Sequence, residues 1–374
     1  MKWSIIKLVP EILYIKLEDI FRKDIFFRAS LKFSSYRKLA KELNSTITSI
    51  YFWKEGIMSC PFLVIKKLAT LLGIDENELK KNIVGIGMRG RGIRIKNPEL
   101  VINFDKSLAR LLGHIYGDGS IHYNKVISYT NKNLKLTNEF KNLSKDVFGN
   151  LSIHEEFRLD DETNNIYLPK LCGLILDKCF KNFNKKRVPL ELFNSNPELV
   201  VEFLAAIFDD EGCVKVNSKE LAIVLKDKKM IEDVSYLFLI AGIKTSCVSE
   251  ERKNKKSYWR IRIYRRKNFI KFRKQIKLKH RNKIKSLNKL LSSYTLRFTK
   301  YELEEAIIDK LKKYNLVTAS ELTRELNIRI DTCCKTLARL ENKNIVEKYR
   351  REQLDNLKRR HTVNLWCLNG HYSN

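Results

Sequence analysis

Two related stretches of this chain constrain its fold more than any other feature of the sequence. LARLLGHIYGDGSI (108–121) and VEFLAAIFDDEGCV (201–214) each predict an apolar helix that ends in an acid and a glycine. A β-prone run follows each glycine. Aligning Gly119 with Gly212 places Asp118 opposite Glu211, 93 positions further along the chain. A repeat of this kind predicts two similar subdomains.

The first of these helices has a face that carries almost no side chains. Small residues recur there at every fourth position: Ala109, Gly113 and Gly117. Another backbone can therefore approach this face closely. The second helix has Ala205 and Ala206 in comparable positions. Packing the two helices together would bring Asp118 and Glu211 side by side.

Asp118 and Glu211 are expected to share a cation. Two facing carboxylates repel unless one is protonated or a divalent cation bridges them. Lysine and arginine number 73 against 43 acidic residues, which gives the chain a net charge of +30. That excess predicts a polyanion partner. In a protein directed at phosphates, Mg²⁺ is the natural bridge.

The stretches LLGHIYGDG and LAAIFDDEG resemble two copies of the nine-residue motif that names the LAGLIDADG homing endonucleases. The resemblance covers roughly residues 100 to 290. It implies an α+β fold with two pseudo-symmetric αββαββα halves, whose motif helices form their interface. The eighth motif position, the metal-binding acid of the family, falls on Asp118 and Glu211. Two copies in one chain imply a monomer that cuts double-stranded DNA with Mg²⁺ or another divalent cation such as Mn²⁺.

The sequence departs from the family motif at two positions. Asp210 occupies the seventh position, where the family has a small residue, so a neighbouring acid could replace Glu211. The glycine that follows Glu211 favours Glu211 as the ligand. His114 replaces the usual apolar fourth residue and is predicted to be a packed or surface histidine, because no second histidine lies one turn away.

The family resemblance also implies a lysine near the scissile phosphates at the end of each half. NFNKKRVPLEL (182–192) and QIKLKHRNKIKSL (275–287) occupy those places. Lys186 and Lys279 are the predicted catalytic lysines, with Lys185, Lys283 and Arg281 as competitors. A lysine there stabilises charge on the attacked phosphate or holds the attacking water. A solvated charge run is the alternative for any one of them.

A basic run near the end of the second half predicts a DNA-binding surface. In KKSYWRIRIYRRKNF (255–269), alternate residues of a strand would project to one face: Arg260, Arg262, Tyr264 and Arg266. Antiparallel strands of this kind can lie in the major groove and contact base edges. An ordinary basic sheet face is the alternative.

Two further segments flank the repeats. Residues 1–90 contain helical periodicity at 35–44 and from about Thr46 to Trp53, which resembles a phage-repressor-like helix-turn-helix. Residues 296–374 predict three helices and two strands, which resembles a winged helix-turn-helix domain. The core is then 91–295. A helical bundle without a DNA role and a winged helix for protein contacts are the alternatives.

The stretch from Gly85 to Pro98 is predicted to be a flexible basic linker. Gly85, Gly87 and Gly90 fit the dinucleotide-binding string G-x-G-x-x-G. The residues that follow are basic and end at a proline, so the helix that this fingerprint requires cannot form.

Composition and the chain ends exclude several classes of protein. A hydrophobic content of 44% rules out a disordered basic tail. No uninterrupted apolar run reaches the ~18 residues of a membrane span, so a cytoplasmic protein with no membrane partner is expected. The eight cysteines form no C-x-x-C pair and are expected to be reduced and buried. The chain begins with Met and ends in Ser-Asn rather than His-Asn, so an intein is not expected.

Together these features predict a site-specific, metal-dependent double-strand DNA endonuclease. A non-cleaving transcription regulator on the same scaffold is the rival from another class. An RNA-splicing maturase is a third possibility, because the same basic groove could hold structured RNA. The target site is not readable from the sequence, since base readout depends on side-chain register.

Overall fold

A computed structural model of the chain describes residues 1–181, 183, 187–253, 256–293, 300–354 and 360–370. These residues form two compact units, Met1–Leu291 and Ser292–Asn374. Both units mix helices and strands, in agreement with the predicted α+β class.

The N-terminal part of the first unit consists of helices and short strands. In chain order they are β1 Lys2–Ser4, α1 Ile5–Leu8, β2 Leu13–Leu17, α2 Asp19–Lys32, α3 Tyr36–Glu42, α4 Ile47–Glu55, β3 Cys60–Pro61, α5 Phe62–Leu72, α6 Glu76–Lys81, β4 Ile83–Met88, β5 Gly92–Lys96 and β6 Val101–Asn103. Helices α4 and α5 end at Gly56 and Gly73, whose φ angles of +74° and +70° suit glycine. The helices predicted at 35–44 and from about Thr46 to Trp53 are present as α3 and α4.

The prediction of a flexible linker at Gly85–Pro98 is wrong. Strands β4 and β5 pair there as an antiparallel hairpin, with Ile86 opposite Ile95 and both side chains fully buried. Gly87 permits the close approach of the strands, because a Cβ at that position would lie 2.0 Å from the carbonyl oxygen of Gly92. The predicted domain boundary at residue 90 falls inside this hairpin.

The core follows as two successive series of elements. The first comprises α7 Lys106–Tyr116, β7 Gly119–Ile121, β8 Ile127–Asn131, α8 Leu134–Phe148, β9 Asn150–Leu151, β10 His154–Arg158, β11 Thr163–Tyr167 and α9 Lys170–Cys179. The second comprises α10 Leu190–Phe193, α11 Pro197–Glu211, β12 Gly212–Lys215, β13 Glu220–Leu225, α12 Lys228–Ile240, β14 Ser249–Lys253, β15 Lys256–Ile263 and α13 Arg266–Gln275, and α14 Arg281–Ser292 follows.

The two series have the same architecture. Their four-stranded sheets have the orders β7-β8-β11-β10 and β12-β13-β15-β14. Apart from the short β9 and α10, each series runs αββαββα, as the family resemblance implied. Strand β9 instead pairs with β5, in the five-stranded sheet β3-β2-β4-β5-β9. The N-terminal part therefore shares a sheet with the first half of the core.

Helices α7 and α11 pack directly against each other, as their small residues predicted. A Cβ on Gly113 would lie 2.5 Å from the carbonyl oxygen of Phe203 and 2.6 Å from Cβ of Ala206. No larger residue fits at Gly113 without moving the partner backbone. The two helices stay in contact to their C-terminal ends, where Gly117 lies close to the side chain of Asp210.

The second unit has the element order predicted for residues 296–374, with one extra short strand. Its elements are α15 Lys300–Tyr314, β16 Val317–Thr318, α16 Ala319–Glu325, α17 Ile330–Asn342, β17 Val346–Leu354 and β18 Arg360–Leu368, and the sheet order is β16-β18-β17. Thr318 and Glu321 form a capping box at the start of α16. Arg329 is the N-cap residue of α17.

Two expectations from composition are refined by the described residues. All eight cysteines are free, and most are buried, but Cys247 and Cys334 are exposed. Within the described part of the chain, no helix is both long enough and apolar enough to cross a membrane.

Candidate functional site

The C-terminal ends of α7 and α11 bring the two predicted acids together. Asp118 follows α7, and Glu211 is the last residue of α11. Burial, together with the charges of Asp210 and Glu211, raises the pKa of Asp118 to about 7. Burial and the charge of Asp210 also raise the pKa of Glu211. The charge of Glu211 thus disfavours the ionised form of Asp118, which an added cation would reverse.

Asn131 holds the carboxylate of Asp118. Its Nδ2 donates a hydrogen bond of 2.7 Å to Oδ2 of Asp118 and lies 3.2 Å from the hydroxyl of Tyr129. Asn131 ends strand β8, beside the C-terminal end of α7. Asn131 was not identified from the sequence, although an amide at the end of the first β-prone run was a signal that could have identified it.

The carboxylate of Asp210 lies in the protein interior and contacts neighbouring protein groups. Its side chain is fully buried and accepts hydrogen bonds from Tyr129 at 2.8 Å and from the backbone N–H of Asp118 at 3.3 Å. His114 Nδ1 lies 3.0 Å from the same carboxylate. With three partners, Asp210 is not free to bind a cation.

His114 is a packed residue, one of the two predicted alternatives. Its side chain is fully buried beneath Tyr129, and Asp210 and Glu139 face its two ring nitrogens. Burial opposes the charged form, but the nearby carboxylates outweigh burial and raise the pKa of His114 to about 9. The histidine is therefore an imidazolium at neutral pH.

A second buried cation, Arg110, was not identified from the sequence. Its guanidinium bonds to Glu139 at 2.5 Å and to Glu202 and Asp209 at 3.0 Å each. Asp209 in turn accepts hydrogen bonds from the backbone N–H groups of Lys279 and His280. Arg110 and Asp209 therefore tie the segment before α14 to the paired helices.

The structure brings Lys283, rather than Lys279, to the acids. Lys283 Nζ donates to three carbonyls at the end of α11, those of Phe208, Asp209 and Asp210, at 2.6 to 3.0 Å. Its charge also acts on both Asp118 and Glu211, and burial lowers its pKa. A lysine amine at a helix C-terminus complements the helix dipole.

The remaining basic candidates are placed away from the acids or are not described. The side chains of Lys279 and Arg281 are exposed, and Lys279 contributes only its backbone N–H to Asp209. Lys185 and Lys186 lie outside the described residues. The structure therefore tests neither lysine of the first half.

The predicted basic face of the second half is only half present. Arg260 and Arg262 alternate with buried Ile261 and Ile263 on strand β15. The strand ends at Ile263, because Arg265 turns the chain with φ of +73° before α13 begins. Tyr264 and Arg266 therefore do not continue the face. Arg260 pairs with Glu251 at 2.5 Å, and Arg262 pairs with Glu220 at 3.6 Å.

The acid pair suits a cation that also binds its substrate. Among the described residues, no group of three or more His, Cys, Asp or Glu side chains converges in the arrangement of a metal site. Mg²⁺ commonly takes only one or two protein carboxylates and completes its shell with water and phosphate oxygens. Asp118 and Glu211, two acids at adjoining helix ends whose pKa values are both raised by burial, fit that coordination.

The chain is similar to segments of several proteins with unrelated names. It is 25% identical over 334 residues to the glutamine–fructose-6-phosphate aminotransferase of Methanocaldococcus jannaschii, which covers 83% of this chain. It is 26% identical over 259 residues to the replication factor C small subunit of Thermococcus kodakarensis, 67% of this chain. The DnaB helicase of a Synechocystis strain matches 50%. The chain spans only 28%, 28% and 23% of these relatives.

Solved structures match at low sequence identity. Full-length DUF199/WhiA from Thermatoga maritima aligns over 64% of this chain and 91% of its own length, with 12% identity and a TM-score of 0.39. I-DmoI in complex with DNA and Ca aligns over 46% of this chain and 90% of its own length, with 19% identity and a TM-score of 0.36.

A family model matches the second half of the core. The model is described as a LAGLIDADG-like domain, and the matched residues are 198–277. They extend from the start of α11 to just beyond α13, and so include the second motif helix, its sheet and Glu211. Residues 198–277 of this chain are therefore similar to a LAGLIDADG-like domain.

Proposed function

We propose that this protein is a site-specific DNA endonuclease that makes a divalent-cation-dependent double-strand cut. The observation that carries the proposal is the pair of carboxylates, Asp118 and Glu211, at the adjoining ends of two packed motif helices, where the charge of Glu211 helps to raise the pKa of Asp118. Two ionised carboxylates at adjoining helix ends cost free energy when no cation is bound. Proteins concentrate such perturbed ionisable groups at functional sites. Each acid belongs to one half, which suits two strands of opposite polarity.

Asp118 and Glu211 would hold the cation, either Mg²⁺ or Mn²⁺. A bound cation supplies positive charge at the attacked phosphate and lowers the pKa of a coordinated water. Asn131 fixes the orientation of the Asp118 carboxylate through the 2.7 Å hydrogen bond. Lys283 offsets part of the negative charge of the acids and holds the end of α11, which positions Glu211.

The unrelated names of the relatives support an enzyme whose coding segment moves between genes. An aminotransferase, a replication factor and a helicase each share with this chain a segment that is at most 28% of their length. A segment common to proteins of unrelated activity does not perform the activity for which each is named. Recurrence in unrelated proteins suits a coding segment that moves between genes, and site-specific DNA cleavage is the chemistry that such movement needs.

DNA binding is supported by charge and by the flanking elements. The net charge of +30 provides a sequence-independent attraction to phosphates. Helices α3 and α4, and in the second unit α16 and α17, have the order of helix-turn-helix modules, which place one helix in the major groove. We assign the sheets of the core, including Arg260 and Arg262, to base contacts and the flanking modules to extending the site.

A non-cleaving DNA-binding regulator is the second candidate. It is favoured by the same flanking modules, and by the ion pairs of Arg260 and Arg262 with Glu251 and Glu220, which limit their availability to bases. The two candidates differ in whether Asp118 and Glu211 act on a bound phosphate.

A plasmid library carrying random sites tests both candidates. Incubation with Mg²⁺ or Mn²⁺ is expected to linearise a small subset of plasmids, whose ends share one sequence. The doubly substituted variant Asp118→Asn, Glu211→Gln serves as the control and should bind the same subset without cutting it. Selective binding with no linear product would favour the regulator. Selective retention of structured RNA over DNA would favour the maturase.

A further inference from the structure

The helices at the centre of the core carry charges of opposite sign. Helix α7 contains basic residues and no acid, and the basic residues are spaced four apart: Lys106, Arg110 and His114. Helix α11 contains acids and no basic residue: Glu198, Glu202, Asp209, Asp210 and Glu211. Each half thus presents a helix of one sign to the other half.

Three sets of ion pairs, here termed the charge ladder, cross the interface. They join Lys106 to Glu198 at 2.8 Å, Arg110 to Glu202 and Asp209 at 3.0 Å each, and His114 to Asp210 at 3.0 Å. The outer pair is exposed to solvent, whereas the Arg110, Asp209, His114 and Asp210 side chains are at most 6% exposed. The inner pairs are therefore the costly ones to separate.

The pseudo-symmetry of the core indicates which residues would face each other if two first halves paired. In the alignment of Gly119 with Gly212, the positions of Glu202, Asp209 and Asp210 correspond to Ala109, Tyr116 and Gly117. If α7 packed against a second copy of α7, Arg110 and His114 would meet these residues and no cross-interface carboxylate. Two buried cations from each copy would lose acids that they now contact.

A pairing of two second halves would fail for the complementary reason. The positions of Arg110 and His114 correspond to Phe203 and Ile207 on α11. Glu202, Asp209 and Asp210 would then meet apolar side chains instead of cations. Removing one partner of a buried ion pair is strongly destabilising, because it leaves an uncompensated buried charge. In a pairing of two first halves the outer pair does not discriminate, because Asp105 corresponds to Glu198.

We propose that the inner pairs of the charge ladder restrict the helix interface to one partner, so that a first half accepts a second half and rejects another copy of itself. The interface surface on each half is then a recognition surface for the other half. This inference does not depend on the proposed nuclease activity, because it concerns only which helices pack together.

A double-mutant cycle in the full chain tests whether His114 and Asp210 act as a pair. His114→Gln and Asp210→Asn are each expected to lower the urea midpoint, because each leaves the other charge buried without its partner. The double variant should recover at least half of the larger loss. The same cycle on the exposed pair, Lys106→Gln and Glu198→Gln, should shift the midpoint little. A double variant no more stable than the worse single variant would overturn the proposal.

Partner choice itself is tested by exchanging halves. A protease site inserted after Asn194 allows the folded full chain to be cut between the halves. Two preparations of different isotopic mass are cut, unfolded together in urea and refolded, and native mass spectrometry then counts the pairs. We expect mixed-mass pairs of one first half with one second half. Pairs of two first halves or two second halves above one tenth of the total, or no recovered pairs, would overturn the proposal.

Discussion

The two halves of the core share one order of helices and strands but support their terminal acids differently. In the first half Gly119 pairs with Tyr129 across the sheet, and in the second Gly212 pairs with Ile223. Tyr129 therefore corresponds to Ile223, and Asn131 to Leu225. Tyr129 and Asn131 of the first half donate hydrogen bonds to Asp210 and Asp118. The corresponding residues of the second half are apolar.

Glu211 receives electrostatic rather than hydrogen-bonded support. The charges of Lys283 and Lys226 act to lower its pKa, against burial and Asp210, which raise it. Among the described residues, no side chain donates a hydrogen bond to Glu211. Asp118 is therefore fixed in orientation by a hydrogen bond, whereas the ionised form of Glu211 depends on the charges of Lys283 and Lys226.

The largest expected effect is the loss of either acid. Asp118→Asn and Glu211→Gln keep size and hydrogen-bonding capacity but remove the charge that holds a cation. Each should reduce double-strand cleavage at least about 100-fold, while specific binding persists or tightens. Cleavage assays paired with equilibrium binding would measure both. Wild-type cutting of both strands by either variant would show that the assignment of that acid is wrong.

The hydrogen bond of Asn131 is expected to matter for only one acid. Asn131→Ala should reduce the activity that depends on Asp118 by about 10–100-fold, because it frees the carboxylate to rotate. Cleavage that depends on Glu211 should fall less, so nicked plasmid should accumulate. Strand-specific single-turnover rates measure the difference, with Thr130→Ala on the other face of β8 as the control. Equal loss of cleavage on both strands would show that Asn131 does not support Asp118 alone.

The lysine that supports Glu211 is expected to be Lys283 and not Lys279. Lys283→Met removes the cation from the end of α11 and should slow cleavage about tenfold or more, since Glu211 then loses both charge and position. Lys279→Met keeps the backbone N–H that binds Asp209 and is the matched control, with a change of less than about threefold. Single-turnover rates at saturating DNA compare them. A larger loss of rate for Lys279→Met than for Lys283→Met would instead identify Lys279 as the functional lysine.

The smallest effect concerns stability and pH. His114 has a folded-state pKa of about 9, above its ordinary value near 6.5, because Asp210 and Glu139 face its ring. Its charge therefore stabilises the fold fully below about pH 6.5, and that contribution is lost as pH rises through about 9. Urea midpoints from pH 6 to 9.5 should fall more steeply for wild type than for His114→Gln. Parallel curves would show that His114 does not change its protonation between the folded and unfolded states.

The sequence predicted regular elements well where a local signal was strong. The spacing of Ala109, Gly113 and Gly117 predicted the helix pair, because a face without side chains is stable only against another backbone. The linker prediction is wrong because the glycines at 85 and 87 lie in strand β4, which pairs with β5. Those glycines instead allow strands to approach closely, which depends on a partner strand that local sequence does not specify.

Prediction of the candidate site was limited in the same way. Asp118 and Glu211 were identified because each stands at a fixed motif position, and the helix pairing then placed them together. Asn131, Arg110 and Lys283 were missed or ranked second. Their roles depend on contacts between residues up to 167 positions apart in the chain, as for Arg110 and the carbonyl of Lys277.

The sequence alone therefore determined the repeat, the two acids and the excess of positive charge, because these are properties of residue identity and spacing. Only the tertiary structure decided that Asp210 points inward to His114 and Tyr129, that Lys283 reaches the end of α11, and that the basic face stops at Ile263. The reason is physical: a side chain's charge state and direction follow from burial and from its neighbours. Those neighbours come from elements that only folding brings together.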